Sequence, residues 1–153
     1  YNYARAIGIL DRIILSVPLD KPKQKPTLSF EQLNLVYNAC DVGINTSIGE
    51  GWGLCSVEQA SIGVPQIVPR HSACSEIFSE REANFIDCPV EVVMDNTMIV
   101  GMLPSVESAA HQIRLMSDSE YRMEKASNSI SKFSQKCYYW DGVIKDAWLS
   151  VFQ

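Results

Sequence analysis

A glycine-rich segment between an apolar run and a helical pattern constrains the fold of this chain more than any other feature. The short apolar run Asp41–Asn45 has the character of a buried strand, and Leu54–Ile62 has the pattern of a helix. The segment between them carries Gly49, Gly51 and Gly53. Glycines leave the backbone bare, which lets a ligand approach the amides and lets the loop adopt positive φ at little steric cost. We therefore expect a strand, a ligand-binding turn and a helix in direct succession.

A second strand pattern, Pro65–Pro69, follows this helix closely, and such spacing predicts a parallel strand–helix–strand unit. In parallel sheets, ligands bind beyond the carboxyl ends of the strands, which is where residues 46–53 fall. Further patterns predict strands at Arg12–Val17 and Ala83–Asp87, and either a hairpin or an irregular edge at Val90–Met94 and Thr97–Met102. Predicted helices are Tyr1–Ile7, Phe30–Cys40 (with a capping box of Ser29 and Gln32), Cys74–Ser79, 106–116, 123–133 and Gly142–Phe152 (with Asp141 as N-cap). The sequence thus predicts one α/β domain over residues 1–153, with a parallel sheet flanked by helices.

Charge and composition argue against several classes of function. A net charge of −5 and a pI near 5.0 argue against a nucleic-acid or anionic-membrane binder, and no apolar run approaches the length of a membrane span. The five cysteines are odd in number and lack C-x-x-C spacing, which indicates reduced thiols in a cytosolic protein. His71 and His111 are too far apart to indicate a metal site. Because the chain opens at Tyr1 within a predicted helix, we expect it to be part of a longer protein.

The start of the helix after Gly53 is the predicted ligand site. The amides near Leu54, Cys55 and Ser56 should lack intrahelical partners and could hold a phosphate. Glu50 and Glu58 flank these amides, with seven residues between them. Carboxylates bind vicinal hydroxyls well, because such hydrogen bonds are charge-assisted and can be bidentate. A plainer interpretation is that Glu58 only stabilises the helix dipole. We would favour it for two glutamates with this spacing elsewhere, but not for two that flank a glycine-rich segment.

Other motifs fit the segment less well. Leu54 stands where a dinucleotide fingerprint has its last glycine, and the chain has neither a P-loop Lys-Ser/Thr pair nor a G-x-S-x-G elbow. Cys55 lies at a helix N-terminus, where its pKa could fall, but the role of a small core residue is favoured. A glycoside hydrolase would need two carboxyls facing one sugar, whereas Glu50 and Glu58 are expected to address different parts of the crevice.

The run from Val36 to Val68 resembles the donor-binding lobe of the retaining glycosyltransferases of family four. The matching elements are Asp41, Ser47, Glu50-Gly-Trp-Gly-Leu54, Glu58 and Gly63-Val-Pro65. Weaker likeness extends to Asp11-Arg-Ile-Ile14, to Glu76 and to Trp140. The chain departs from the family pattern at Trp52, which replaces a phenylalanine, and at 70–75, which replace a small glycine-rich turn. The family's basic pair for the pyrophosphate precedes the segment where this chain starts.

The resemblance implies a Rossmann-like domain that forms the C-terminal lobe of a two-lobed GT-B fold. It implies transfer of a sugar from a nucleotide diphosphate sugar to an acceptor hydroxyl with retention, in the manner of a hexosyltransferase, without a metal or other cofactor. Glu50 would be the catalytic residue beside the reacting carbon, and Glu58 would bind the ribose. The remaining donor contacts would be Gly51, Trp52, Gly53, Leu54 and Cys55, with the main chain near Val17 at the base.

The implied partners are the donor, an N-terminal lobe of the same protein and a carbohydrate, lipid-linked or other hydroxyl acceptor, but no nucleic acid. The expected location is the cytoplasm, including the membrane periphery, and the lobe alone is expected to be inactive. Two rival functions fit the same fold: a non-catalytic nucleotide-sugar-binding domain, and a sugar-nucleotide epimerase.

Overall fold

The computed structural model describes residues 2–14, 28–93 and 100–151. Contacts divide the chain into two units, Tyr1–Leu35 and Val36–Gln153. The second unit contains all of the strands described below and the glycine-rich segment, and it carries the candidate site.

In the first unit, helix α1 (Asn2–Ala6) is followed by Gly8, whose φ of +71° is readily accessible only to glycine. The predicted strand Arg12–Val17 is wrong over its described residues 12–14. Leu10–Arg12 forms a 3₁₀ turn instead, because the amides of Arg12 and Ile13 bond back to the carbonyls of residues 9 and 10. The donor contact predicted near Val17 lies outside the described residues.

Helix α2 (Phe30–Asn38) begins at the predicted capping box. The Ser29 amide donates to Oε1 of Gln32 over 3.0 Å, and the Gln32 amide donates to Oγ of Ser29 over 3.3 Å. Two amides at the helix start are thereby satisfied reciprocally, as the motif predicts. The helix ends two residues before the predicted Cys40.

The second unit contains a three-stranded parallel sheet in the order β1 (Gly43–Ile44), β2 (Gln66–Pro69) and β3 (Ala83–Ile86). Gly43 pairs with Gln66, and each β2 residue pairs with one β3 residue. The prediction of a parallel α/β unit is confirmed, and the first strand is shorter than predicted.

The remaining elements flank or follow this sheet. They are α3 (Leu54–Ser61), α4 (Ser72–Ile77), β4 (Val90–Val93), β5 (Val100–Leu103), α5 (Val106–Leu115), α6 (Ser119–Phe133) and α7 (Lys145–Val151). Strands β4 and β5 pair in antiparallel fashion, as the hairpin alternative requires. No helix within the described residues is long and apolar enough to cross a membrane.

The last helix begins differently from the prediction. Residues Trp140–Ile144 form a π-helical turn, and α7 continues from Lys145. The prediction of Asp141 as an N-cap is therefore wrong, because this residue already lies inside the helical turn.

One apolar cluster packs around Phe133, which is 3% exposed. The centre of its ring lies 5.5 Å from that of Phe78 and 5.0 Å from that of Tyr138. Ala60 of α3 and Val68 of β2 belong to the same cluster. This cluster therefore joins α3 and α6 to the central strand.

A second apolar cluster contains Ile67, Ile86 and Met116, all nearly inaccessible to solvent. Ile67 and Val68 are neighbours on β2, and successive side chains of a strand point to opposite faces. The two clusters therefore cover both faces of the sheet, as expected for parallel strands.

Glu82, the residue before β3, is buried beside Lys132 of α6. Its Oε2 accepts hydrogen bonds from the Ser79 amide (2.8 Å) and hydroxyl (2.7 Å), and Lys132 Nζ lies 3.3 Å away. Burial alone would raise the pKa of Glu82, but the bonds from Ser79 and the Lys132 charge outweigh it and hold the pKa below its ordinary 4.5.

We expect Glu82→Gln to destabilise the protein by about 1–3 kcal/mol at pH 7. A carboxylate whose folded pKa is lowered stabilises the fold above its unfolded pKa, and this stabilisation is lost as the pH falls through the folded pKa. The difference in unfolding free energy between parent and variant should therefore shrink below about pH 4.5, in urea denaturation across the pH range. A difference that stayed constant between pH 7 and pH 3 would contradict the role of the charge.

Candidate functional site

The glycine-rich segment leaves the carboxyl end of β1 and enters α3 at Gly53. Gly53 precedes the first helical residue with φ +76° and ψ +49°, a left-handed conformation that favours glycine. A Cβ atom added at Gly49 or Gly51 would meet no atom within 4 Å. The main chain at these two positions is therefore open to a ligand, as the sequence predicts.

The helix start offers fewer free amides than predicted. The Ser56 and Val57 amides both donate to the Gly53 carbonyl, at 3.0 and 3.1 Å. The amides of Leu54 and Cys55 have no acceptor within residues 2–14, 28–93 and 100–151. The predicted set of three is therefore wrong at Ser56, and two amides remain to face a ligand.

Glu50 is half-buried, and both its carboxylate and its backbone amide form hydrogen bonds. Its Oε1 accepts a hydrogen bond from Nδ2 of Asn45 over 3.0 Å, and its own amide donates to Oγ of Ser72 over 3.1 Å. Asn45 is oriented in turn, because its Oδ1 accepts from the Ser47 amide over 2.8 Å. Oε2 of Glu50 has no hydrogen-bond partner among the described residues, so it can serve a ligand.

Two cavities meet at Glu50. One, of about 400 Å³, is lined by Ile44, Asn45, Thr46, Ser47, Glu50, Cys55, Ser56, Gln59 and Gln66. The other, of about 320 Å³, is lined by Asn45, Glu50, Trp52, Gly53, Leu54 and Cys55. The structure therefore brings Glu50 together with the predicted residues 52–55. Ser47 Oγ is buried and has no partner among the described residues, so it can also serve a ligand in the first cavity.

Glu58 lies apart from these cavities, on an exposed part of α3. Its Oε2 accepts a hydrogen bond from the Tyr37 hydroxyl over 2.8 Å. Burial, together with hydrogen bonds to Glu58 and Cys55, raises the pKa of Tyr37, so its hydroxyl stays protonated. No sequence pattern predicts this contact, because Tyr37 and Glu58 lie 21 positions apart. The structure therefore brings Glu50, and not Glu58, to the two cavities.

Cys55 is exposed and lines both cavities, so the prediction of a small core residue is wrong. The buried cysteine of this region is Cys74 of α4, whose Sγ would lie 3.9 Å from a Cβ added at Gly53. Burial and the nearby Glu50 charge raise the pKa of Cys74 to about 11, so it remains a thiol.

The hairpin also supports the segment. The Met102 amide of β5 donates to the Ile48 carbonyl over 2.8 Å, and a Cβ added at Gly101 would lie 3.0 Å from that oxygen. Within the described residues, no group of three or more His, Cys, Asp and Glu side chains could hold a metal ion.

Solved structures share this architecture over most of the chain. A sucrose-phosphate synthase from Thermosynechococcus elongatus matches with a TM-score of 0.72 and 16% identity, over 99% of this chain and 33% of that one. The C-terminal domain of a group 1 glycosyl transferase from Francisella tularensis matches with a TM-score of 0.65 and 19% identity, over 89% and 59%. The fold is that of a GT-B lobe.

The predicted fold class is therefore confirmed. At these identities the likeness extends to the GT-B fold only, and this chain spans about a third and about three fifths of the two matched chains. No protein-family model matches the sequence, and no curated protein matches it.

Proposed function

We propose that this chain is the donor-binding lobe of a retaining glycosyltransferase that uses a nucleotide diphosphate sugar. The observation that carries the proposal is that Glu50, Leu54 and Cys55 line one cavity, and that the Leu54 and Cys55 amides have no acceptor in the described part of the chain. A diphosphate-linked sugar needs both: donors for its phosphate oxygens and acceptors for its hydroxyls. The GT-B fold supports this assignment, because the matched structures include glycosyltransferases.

Each part of the donor has a proposed partner. The diphosphate lies on the Leu54 and Cys55 amides, where the helix dipole favours negative charge. The sugar lies against Glu50 and the main chain of Gly51 and Gly53. Trp52, which is 46% exposed, contributes an aromatic face to the second cavity.

The ribose extends along α3 towards Glu58. Tyr37 already occupies one oxygen of that carboxylate, so the other oxygen takes the ribose hydroxyls. Fixed amides that face the departing diphosphate stabilise its charge in the transition state without reorganisation. The donor is the substrate, and the proposal includes no metal or other cofactor.

The complete enzyme, in this proposal, has a second lobe that brings an acceptor hydroxyl to the sugar. The acceptor is a carbohydrate, a lipid-linked sugar or another alcohol. A chain with net charge −5 attracts no anionic donor through its overall field, so the local dipoles at α3 must do so. The transferase is proposed to work in the cytoplasm or at the membrane periphery.

Protection of Cys55 from alkylation tests the site without knowledge of the acceptor. We expect a matching nucleotide sugar, at ten times its Kd, to slow the reaction of Cys55 with N-ethylmaleimide about tenfold, because only the free protein reacts. Cys137 is also exposed and serves as an internal control. The measurement is mass spectrometry of both peptides across UDP-, GDP- and ADP-sugars. Equal rates at Cys55 with every nucleotide sugar would reject the proposal.

The same titration in Glu58→Ala tests the ribose contact. Loss of hydrogen bonds to a charged group should raise the Kd obtained from this titration about 10- to 100-fold. Glu124→Ala, which removes an exposed acid of α6, should behave as the parent protein. Unchanged affinity in Glu58→Ala would reject the ribose role and leave the sugar site standing.

A further inference from the structure

Ser72, the first residue of α4, has a strained backbone. Its φ is +45°, and it is the one non-glycine residue of the described ranges at positive φ. Such conformations persist where the surroundings hold them in place, and they cluster at functional sites. Glycine at this position would relieve the strain, yet it would also remove the hydroxyl group.

That hydroxyl group is the centre of a hydrogen-bonded path that encloses the Glu50 segment. Ser72 Oγ accepts from the Glu50 amide over 3.1 Å and lies 2.8 Å from Nδ1 of His71. Nε2 of His71 lies 3.0 Å from the Ser47 carbonyl oxygen. The path continues from the Ser47 amide through Asn45 to the Glu50 carboxylate. Both ends of the segment are thereby fixed.

The partners determine the direction of each bond when the imidazole is neutral. The Ser47 carbonyl can only accept, so Nε2 of His71 carries the proton and donates it. Nδ1 is then the acceptor, and the Ser72 hydroxyl must donate to it. A lone pair of Ser72 Oγ remains for the Glu50 amide. His71 is 8% exposed, so its two bonds are shielded from competing water.

We propose that His71 and Ser72 are positioning residues that aim Glu50 at the donor sugar, and that the strain at Ser72 is retained for this purpose. The inference rests on the proposed function for its ligand, because it assigns Glu50 to the sugar. Its structural part, the fixing of residues 46–53 through Ser72 Oγ, stands independently of any ligand. At this φ, glycine would be more stable than serine. If position 72 served stability alone, glycine would therefore be the favoured residue there.

Ser72→Gly and Ser72→Ala in the complete protein separate strain from hydrogen bonding. Glycine removes both the strain and the hydroxyl group, so we expect a melting temperature equal to or above that of the parent. Alanine removes only the hydroxyl group and should lower it. Both variants should speed amide hydrogen exchange of residues 46–53 about 3- to 10-fold, since the Glu50 amide loses its acceptor. Ser75→Gly, the same change inside α4, should lower the melting temperature and leave this exchange unchanged.

The sugar contact is measured by a ratio, the Kd for a nucleoside diphosphate divided by the Kd for its sugar conjugate. The probe pairs are UDP and UDP-glucose, GDP and GDP-mannose, and ADP and ADP-glucose. In Ser72→Gly this ratio should fall about 3- to 10-fold, while the Kd for the diphosphate stays at the parent value. Exchange rates equal to the parent in both Ser72 variants, or a preserved ratio, would overturn the inference. Parent protein that binds none of the probes would reject the proposed function, and the exchange data would still decide whether Ser72 fixes the segment.

Discussion

Glu50→Gln is expected to lower the kcat of sugar transfer by the complete protein about 10²- to 10³-fold and to leave its melting temperature unchanged. Glutamine keeps an oxygen that can accept from Asn45 Nδ2, so the local structure should persist. In the proposed site, the substitution removes the negative charge beside the reacting carbon, where positive charge develops as the bond to the diphosphate breaks. Initial rates with the donor selected by Cys55 protection provide the measurement.

The matched control for this experiment is Glu124→Gln, which neutralises an exposed acid of α6. It should turn over at the parent rate. A rise in the KM for the donor without a fall in kcat would assign Glu50 to binding alone. A variant with parent kcat and KM would remove Glu50 from the site.

Phe133→Ala is expected to cost about 3–5 kcal/mol of unfolding free energy, the largest loss of stability that we expect from a single side chain. The ring packs edge-on against Phe78 and lies beside Tyr138, and its cluster reaches α3, β2 and α6. Truncation would leave a cavity at the point where these elements meet. Urea denaturation followed by circular dichroism measures the change.

Phe30→Ala provides the contrasting case, because Phe30 is 89% exposed. Its cost should stay within about 0.5 kcal/mol. Phe133→Leu, which keeps most of the apolar volume, should lie between the two. Equal stabilities of the two alanine variants would show that the Phe133 cluster is not the main core.

The local features of the fold could be predicted because each depends on a few adjacent residues. The capping box of Ser29 and Gln32 closes over three positions, and the strand–glycine–helix succession depends on apolar runs and glycines. The parallel sheet follows from the short spacing of its strands. The strand predicted from Arg12 failed over its described residues because local carbonyls captured the amides there.

The site was predictable in its backbone and less so in its side-chain contacts. Glu50 and residues 52–55 do share a cavity. The hydrogen bonds from Tyr37 to Glu58 and from Glu50 to Ser72 join residues 21 and 22 positions apart, so no local sequence pattern predicts them. The prediction of a core position for Cys55 rests on the usual burial of free cysteines, whereas this residue is exposed and lines the cavity. The Ser56 amide is not free for a ligand, because it donates to the carbonyl of Gly53, the residue in the left-handed conformation.

The Leu54 and Cys55 amides, which have no acceptor among the residues that the structure describes, affect how this protein can vary. They belong to the main chain, so exchange of the Leu54 or Cys55 side chain leaves both donors in place. A genetic screen of alanine variants would therefore overlook them, however much binding they supply. In the proposed site, evolution can likewise alter the side chains at these positions to suit a different sugar while the amides that hold the phosphates stay the same. Conservation of the backbone conformation, rather than of particular amino acids, would then preserve the activity among distant homologues.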